Sequence, residues 1–202
     1  MKRKLHGNRI VVATHNKGKL AEFTELLMPH GVNAVSAAEL GISEPQETES
    51  TFAGNARIKA MNACKASGLI AISDDSGLCV DMLGGDPGVY TADWAGPSRD
   101  FSMAMRLVED KLRANNAATP GERRATFVCT LCVRWPDGEE RLYEGRAMGH
   151  LVWPPRGKLG HGYDPVFVPD GETRTFGEMD NACKNRLSHR ARALEKLTRD
   201  LL

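Results

Sequence analysis

The chain has 202 residues, with 27 Lys+Arg against 26 Asp+Glu and a formal net charge of +1. A balance this close to neutral argues against a protein that coats nucleic acid, so any phosphate binding has to be local. The length suits one sizeable core, and we predict a single domain over residues 1–202 without a membrane-spanning segment.

The five cysteines are an odd number in mostly apolar settings, which is typical of reduced thiols and favours a cytoplasmic protein. The apolar run Ile10–Ala13 is also too short for a secretion signal. Cys129 and Cys132 form a Cys-x-x-Cys, but positions three apart on a strand face opposite ways. We therefore predict that both are core residues and not a metal or redox pair.

The first predicted element is a strand over Ile10–Ala13, which leads through Thr14-His15-Asn16-Lys17-Gly18-Lys19 into a helix. Lys17 and Lys19 fall at the helix start, where the dipole disfavours a cation by about 0.3–1 kcal/mol and a bound anion would reverse that cost. With free backbone amides and Gly18, this junction predicts a phosphate cradle. Its spacing is not that of a P-loop, and the alternative is an ordinary solvated helix start.

An acid-rich loop over Glu39–Glu49 follows and leads into a long helix over Phe52–Ala66, with Ser50-Thr51 as its cap. Asn55 and Lys59 are four residues apart and therefore lie on one side of this helix. Lys59 is either a site residue or a surface lysine whose stem lies along apolar surface.

The stretch Leu69–Gly77 reads as a buried strand that ends in Asp74 and Asp75. Ligands of open α/β sheets bind at the carboxyl ends of strands, and adjacent strand residues face opposite sides, so the two acids need not share a role. Glu47 could join Asp75 as a carboxylate pair for Mg²⁺, which proteins hold with one or two carboxylates. The alternative is that Asp-Asp-Ser-Gly forms only a turn.

A helix over Arg99–Leu112 is expected to cover the sheet with Met103, Leu107 and Val108. Ala125–Trp135, the turn Pro136-Asp137-Gly138 and Glu140–Met148 predict a long antiparallel hairpin, and hence a mixed sheet.

A second glycine-rich stretch, Gly157–Gly171, contains His161, Tyr163 and Asp164. These side chains could supply a stacking ring and a hydrogen-bonding acid for a nucleotide base. The alternative is a tight turn that enters the apolar run Val166–Val168.

The stretch Lys184–Arg190 is predicted to open a single final helix. The buried stripe is formed by Leu187, Leu194, Leu197 and Leu201. Arg190 then borders packed surface, whereas His189 points further away from it. A charge-rich terminal helix that is simply solvated is the alternative.

Taken in order, these motifs resemble those of the inosine triphosphate pyrophosphatase family over Ile10–Leu197. The resemblance rests on Thr14 to Lys19, Glu47-Thr48, Asn55-Ala56 with Lys59, Ser73 to Gly77, Gly162 to Pro165, and Lys184 with Ser188-His189-Arg190.

The resemblance implies an α/β fold with an elongated central mixed β-sheet flanked by helices, in two lobes with a substrate cleft between them. It also implies a homodimer that uses Mg²⁺ to hydrolyse deaminated purine nucleoside triphosphates, namely ITP, dITP and XTP, to the monophosphate and pyrophosphate. Asp75 would be the catalytic base and, with Glu47, a metal ligand. The residues implied to bind substrate are Thr14, His15, Asn16, Lys17, Gly18, Lys19, Lys59, Ser76, His161, Gly162, Tyr163, Asp164, Lys184, His189 and Arg190.

The chain departs from the family pattern at two positions. His161 stands where the family commonly has Phe, and Cys183 precedes the recognition lysine where an acid is frequent. Two other functions stay open: a pyrophosphatase for other modified nucleotides, or a nucleotide- or RNA-binding module without hydrolysis.

Overall fold

The computed structural model describes residues 3–5, 8–15 and 17–202, leaving out the side chains of Lys17 and Glu22. The described residues form six strands: β1 (Arg9–Val12), β2 (Asn33–Ser36), β3 (Ile70–Val80), β4 (Arg124–Arg134), β5 (Glu140–Leu151) and β6 (Phe167–Pro169). They also form five α-helices: α1 (Lys17–Leu27), α2 (Phe52–Ser67), α3 (Phe101–Ala114), α4 (Asn181–Leu187) and α5 (His189–Leu201). In this part of the chain, no helix is both long and apolar enough to cross a membrane.

The strands make one mixed sheet in the order β2-β1-β3-β4-β5-β6. β1 runs parallel to both β2 and β3, with Val11 opposite Val35 and Ala71. β5 and β6 run antiparallel, with His150 opposite Val168. The predicted α/β class with a mixed sheet is therefore confirmed.

The central strand β3 is longer than the sequence predicts. The expectation that it ends at Asp74 and Asp75 is wrong, as is the alternative that these residues form a turn, because the strand continues to Val80. Its parallel partner β1 ends opposite Ile72, whereas β4, the neighbour on the other side, is also eleven residues long. The two acids thus lie inside β3, just beyond the carboxyl end of β1.

The predicted hairpin is confirmed. A tight turn joins β4 to β5: the Trp135 amide donates to the Glu139 carbonyl at 2.9 Å, and the Gly138 amide donates to the Trp135 carbonyl at 2.9 Å. Gly138 has a φ of 96°, a conformation that glycine adopts without steric cost. The second strand extends three residues beyond the predicted end at Met148, to Leu151.

The chain divides into two compact units. The first comprises the described part of residues 1–75 together with 130–144 and 193–202. Its apolar core includes the small face of α2, where Ala56, Ala60 and Ala63 are buried, and Ala71 of β3. Alanines leave room for the helix to pack close to the strands, which fixes the position of the buried face of α2.

The second unit comprises residues 76–129 and 145–192. Its core contains a cluster of rings in which the Phe127 and Phe167 centroids lie 4.7 Å apart, and those of Phe167 and Phe176 lie 5.2 Å apart. The resemblance implies two lobes, and the chain divides into two compact units. The substrate cleft and the single domain over residues 1–202 remain predictions.

The buried face of α3 differs from the expected one. Val108 is buried as predicted, but Met103 and Leu107 are 50% and 39% exposed, so their predicted role in covering the sheet is wrong. Burial instead follows Ala104, Val108 and Leu112, a column at four-residue spacing. The prediction favoured the larger side chains of Met103 and Leu107, which lie on the helix face next to the buried one.

The final helix is in fact two helices that are separated at Ser188. The Ser188 hydroxyl accepts a hydrogen bond from the Ala191 amide at 3.1 Å and so caps the start of α5. Leu197 and Leu201 are fully buried as predicted, whereas Leu187 and Leu194 are only partly buried. The prediction of one continuous helix is wrong because it read a capping serine as a helix interior residue.

Candidate active site

The adjacent acids of β3 contact two different lysines, in keeping with their opposite directions on a strand. Both carboxylate oxygens of Asp74 accept hydrogen bonds from the Lys19 ammonium, at 2.9 and 2.8 Å. Asp74 is only 3% exposed, and Lys19 belongs to the first turn of α1. The ion pair therefore ties the start of α1 to the central strand across 55 residues of sequence.

Asp75 and Glu47 converge on Lys59. The Lys59 ammonium lies 2.9 Å from Glu47 Oε1 and 3.3 Å from Asp75 Oδ1. Lys59 is 6% exposed, so the alternative of an ordinary surface lysine is wrong. The three residues that sequence analysis placed in one charged site thus share contacts in the first unit.

The loop that carries Glu47 is fixed to the start of α2. Asn55 is buried and accepts a hydrogen bond from the Glu49 amide at 3.0 Å, while the Gly54 amide donates to the predicted cap Thr51 at 3.1 Å. A Cβ on Gly54 would lie 2.5 Å from the Glu49 Cβ, so only glycine lets the loop lie this close to the helix. Asn55 is a positioning residue, one helical turn before Lys59.

Burial raises the pKa of Asp75 to about 6. The Lys59 ammonium opposes this shift, and the nearby Glu47 carboxylate adds to it. For Lys59, burial alone would lower the pKa, but Asp75, Asp74 and Glu47 outweigh burial and the pKa is raised. Lys59 therefore stays charged, whereas Asp75 changes charge close to neutral pH.

The donor set fits a hard divalent cation. Asp75 Oδ2 is buried and has no hydrogen-bond partner among the described residues, which leaves it an unused acceptor. Glu47 and Asp75 are held around one ammonium, so a cation can meet both carboxylates. Across residues 3–5, 8–15 and 17–202 no group of three or more His, Cys, Asp and Glu is arranged for a metal. Two protein carboxylates, completed by water and phosphate oxygens, are what Mg²⁺ commonly uses.

The predicted phosphate loop lies between β1 and α1. Thr14 is buried, and its amide donates to the Val12 carbonyl at 2.8 Å. Asn16 and the side chain of Lys17 lie outside the described residues, so their predicted contacts remain predictions. The predicted helix start is confirmed, because α1 begins at Lys17 and Gly18 lies exposed in its first turn. That turn contains no acidic residue, so no carboxylate within it offsets the positive end of the helix dipole.

His15 connects this loop to the acid-rich segment. Its Nε2 lies 3.0 Å from the Ile42 carbonyl oxygen, and its Nδ1 lies 3.9 Å from Glu44 Oε1. His15, Glu44 and Lys59 line the same surface depression in the first unit. Lys59 is therefore close to the loop that is predicted to bind phosphate.

In the second unit, Asp164 organises the predicted base-recognition segment. Asp164 is 2% exposed, and its Oδ2 accepts a hydrogen bond from the His161 amide at 2.7 Å and from the Lys184 ammonium. A Cβ on Gly160 would lie 2.1 Å from the same oxygen. Asp164 therefore holds both the glycine-rich turn and Lys184.

The rings of this segment differ in accessibility. Tyr163 is 1% exposed; its ring meets Phe101 edge-on at 5.7 Å, and its hydroxyl donates to the Thr91 carbonyl at 3.3 Å. His161 is exposed, and Gly162 has a φ of 65°. Stacking of His161 on a base, and base contacts of Tyr163 and Gly162, stay predictions.

His189 is buried and stacks on Phe127, with ring centroids 4.9 Å apart and ring planes 13° apart. The expectation that His189 points away from the packed surface is wrong, because α5 begins at His189 and the periodicity counted from Leu187 does not apply. Arg190 is partly buried, as expected for a side chain that borders packed surface. Ser76 is also partly buried and follows Asp75 in β3; the substrate contacts of all three remain predictions.

Cys129 and Cys132 are core residues, as predicted. All five cysteines are free thiols, and these two are buried. Burial raises the pKa of the Cys132 thiol to about 12, which makes it unreactive near neutral pH.

Sequence reasoning gave Asp74 no partner and missed that it holds Lys19. Strand alternation already indicated that Asp74 and Asp75 face opposite sides. A buried carboxylate is normally paired with a cation, and Lys19 lies at the start of the helix that follows the neighbouring strand. These two facts together could have predicted the contact between Lys19 and Asp74.

Together, the fold and these clusters define an α/β protein whose charged site suits a phosphorylated ligand and a divalent cation. The chain belongs to the Ham1 family, whose model matches residues 10–200. It is 57% identical to a dITP/XTP pyrophosphatase of Ruegeria pomeroyi, with 98% of each chain covered, and 55% identical to a dITP/XTP pyrophosphatase of Gluconobacter oxydans, with 96% of this chain and 91% of the relative covered.

The fold is similar to that of a HAM1 protein from Coxiella burnetii, with a TM-score of 0.90 and 36% identity over 95% of this chain and 97% of that chain. The resemblance to the inosine triphosphate pyrophosphatase family and the α/β fold with a mixed sheet are confirmed by these similarities.

Proposed function

We propose that this protein hydrolyses the deaminated purine nucleoside triphosphates ITP, dITP and XTP to the nucleoside monophosphate and pyrophosphate. The observation that carries the proposal is the buried Asp75 carboxylate with an unused oxygen, held beside Lys59 and Glu47 in a Ham1-family chain. Relatives named dITP/XTP pyrophosphatase support the choice of substrate.

Asp75 is suited to be the general base. With a pKa of about 6 it is mostly ionised at pH 7.5, yet it is more basic than an ordinary aspartate. In the proposed reaction the Asp75 carboxylate accepts a proton from a water molecule whose oxygen bonds to the α-phosphorus. The bond from the α-phosphorus to the bridging oxygen breaks, and pyrophosphate leaves with that electron pair.

Glu47 and Asp75 would hold Mg²⁺, which would neutralise phosphate charge and lower the barrier to attack at phosphorus. The triphosphate would be bound by Lys19 and Lys59 and by the turn that contains Thr14, His15, Asn16, Lys17 and Gly18. Positioning and charge stabilisation supply most of the catalysis in phosphoryl transfer, so these contacts are expected to matter as much as the base.

Base selectivity is proposed to reside in the second unit. Lys184 and Arg190 would donate hydrogen bonds to the 6-oxo group of hypoxanthine or xanthine, whereas adenine carries a 6-amino donor at that position. A mismatched donor leaves buried polar groups unpaired, which discriminates strongly. Asp164 supports this scheme because it fixes the Lys184 ammonium. His161, Gly162, Tyr163 and His189 would surround the base, and Ser76 would contact substrate.

A panel of nucleoside triphosphates with Mg²⁺, in which pyrophosphate and phosphate are scored separately, tests the proposal. We expect pyrophosphate from dITP, ITP and XTP, little from ATP, and a loss of about 10²–10⁴-fold in turnover for Asp75→Asn. The panel includes other modified nucleotides as the competing substrates. Comparable turnover of ATP and ITP would end the selectivity scheme, and binding without pyrophosphate release would favour a nucleotide-binding module.

Mg²⁺ as the cofactor, a homodimer as the assembly and the cytoplasm as the location are part of the same proposal, as is the absence of a nucleic-acid partner. Chelation with EDTA is expected to abolish pyrophosphate release, and Mg²⁺ is expected to restore it. Sedimentation of the purified chain at micromolar concentration measures the assembly: a mass of one chain would contradict the dimer.

A further inference from the structure

Lys59 makes contacts with the same two carboxylates that are assigned to the metal. Its ammonium is 2.9 Å from Glu47 Oε1 and 3.3 Å from Asp75 Oδ1. These are ordinary ion-pair distances, so the ammonium neutralises part of the charge that a divalent cation would otherwise find there.

The position of Lys59 is imposed by its helix. Lys59 lies in the middle of α2, is only 6% exposed, and has the buried Ala56 and Ala60 on either side of it along the helix. A surface lysine can swing into water when a cation approaches, but this ammonium is enclosed. Metal binding to both carboxylates therefore brings two positive groups within a few ångströms of each other in a site of low dielectric constant.

We propose that Lys59 is an internal counter-ion for Glu47 and Asp75, which keeps their affinity for a divalent cation low until a polyphosphate offers the ammonium another partner. The inference rests on the proposed function, because it needs the polyphosphate to bind beside Lys59. When the phosphates arrive, Lys59 pairs with a phosphate oxygen and the two carboxylates take the cation.

Such an exchange makes nucleotide and metal bind with positive coupling, and coupling between two ligands is reciprocal. Without Lys59 the carboxylates have no competing cation, so metal binds without help from nucleotide. Lys59 therefore ties metal binding to the presence of substrate, beyond any contact it makes with the phosphates.

The test is a titration of the nucleotide-free protein with Mn²⁺, followed by the electron paramagnetic resonance signal of free Mn²⁺. We compare the native chain with Lys59→Met, which removes the charge and keeps an unbranched side chain that is one atom shorter, and with Lys59→Arg, which keeps the charge. Lys65→Met is the matched control, because Lys65 is exposed near the end of the same helix.

Lys59→Met is expected to bind Mn²⁺ about tenfold or more tightly than the native chain, within the range of about 5–150-fold that is common for coupled sites. Lys59→Arg and Lys65→Met are expected to bind Mn²⁺ within about threefold of the native affinity, a change smaller than that range. Equal or weaker Mn²⁺ binding by Lys59→Met would overturn the proposal, as would an equal gain in Lys65→Met.

Removing Lys59 leaves the buried Asp75 carboxylate and the exposed Glu47 carboxylate beside it without their ammonium partner, so Lys59→Met can fail to fold without a cation. Thermal melts with and without Mn²⁺ cover that case. Mn²⁺ should restore the folding of Lys59→Met, or raise its melting temperature by more than it raises that of the native chain. An equal or smaller rise in the variant would overturn the proposal. Neither measurement uses nucleotide, so the two proposals can fail separately. If the native protein turns over dITP but Lys59→Met shows no stronger response to Mn²⁺, only the counter-ion role of Lys59 is refuted. An inactive protein that shows the effect refutes only the proposed reaction.

Discussion

Replacing Asp75 with asparagine should make the folded protein more stable at pH 8 while it removes activity. Burial raises the pKa of Asp75 from 3.8 to about 6, so the folded state prefers the neutral acid. Asparagine has nearly the same shape and is always neutral. The variant therefore avoids the cost of holding a charge at this position.

The sign follows from proton linkage. Because the folded pKa lies above the unfolded one, the native chain loses stability as the pH rises from about 3.8 to about 6, and the loss is complete above that range. At about 1.4 kcal/mol per pH unit, the shift amounts to about 3 kcal/mol. This value is what remains after the attraction of Lys59, which already lowers the pKa.

Urea unfolding in EDTA at pH 8 and at pH 4 measures the difference, since bound metal would otherwise stabilise the native chain alone. We expect Asp75→Asn to gain up to about 3 kcal/mol at pH 8 and little at pH 4. Asp170→Asn is the contrasting control, because the Arg124 guanidinium lowers the pKa of Asp170 and its replacement should cost stability at the higher pH. A loss of stability for Asp75→Asn at pH 8, or a change that does not depend on pH, would refute the reasoning.

Other substitutions test the second unit and the core. Gly160→Ala should reduce the preference for ITP over ATP, because its Cβ would lie 2.1 Å from an Asp164 oxygen; Gly171→Ala, with a similar positive φ and nothing within 4 Å, should not, and equal effects would contradict this. Glu109→Gln breaks a buried ion pair with arginines and should cost about 3–5 kcal/mol in urea unfolding, whereas a cost below about 1 kcal/mol would be inconsistent with burial. Ellman's reagent at pH 8 should leave Cys132, whose thiol pKa is about 12, unmodified until the protein unfolds, and modification of the folded chain would contradict its burial.

The sequence predicts this fold well where local patterns are strong. The hairpin was found because its turn chemistry lies between two strand-like runs, and α2 was found with its cap at Thr51. The length of β3 was not predictable from its own residues. Asp74 and Asp75 are poor strand formers, and the strand continues through them because it has neighbours on both sides in the sheet.

The site was predictable as a set of residue types but not as a set of contacts. The four-residue spacing of Asn55 and Lys59 predicts a common side of the helix, yet it does not say whether that side is buried. Burial of Lys59 depends on Glu47 and Asp75, which are 12 and 16 residues away in the chain.

The burial of His189 was mispredicted because a single residue, Ser188, interrupts the helical repeat. Ser188 separates α4 from α5, so residues before and after it do not share one helical repeat. A serine followed three residues later by Ala191 carries no strong sequence signal for a helix start, because a capping box would require Glu or Gln there.

Hydrolysis in ¹⁸O-labelled water tests the central claim most directly. With dITP as substrate and Mg²⁺ present, mass spectrometry of the products shows which phosphorus the water attacked. Attack at the α-phosphorus predicts one ¹⁸O atom in dIMP and none in pyrophosphate. Label in the pyrophosphate, or release of labelled phosphate, would contradict attack at the α-phosphorus, the step in which Asp75 is proposed to be the base.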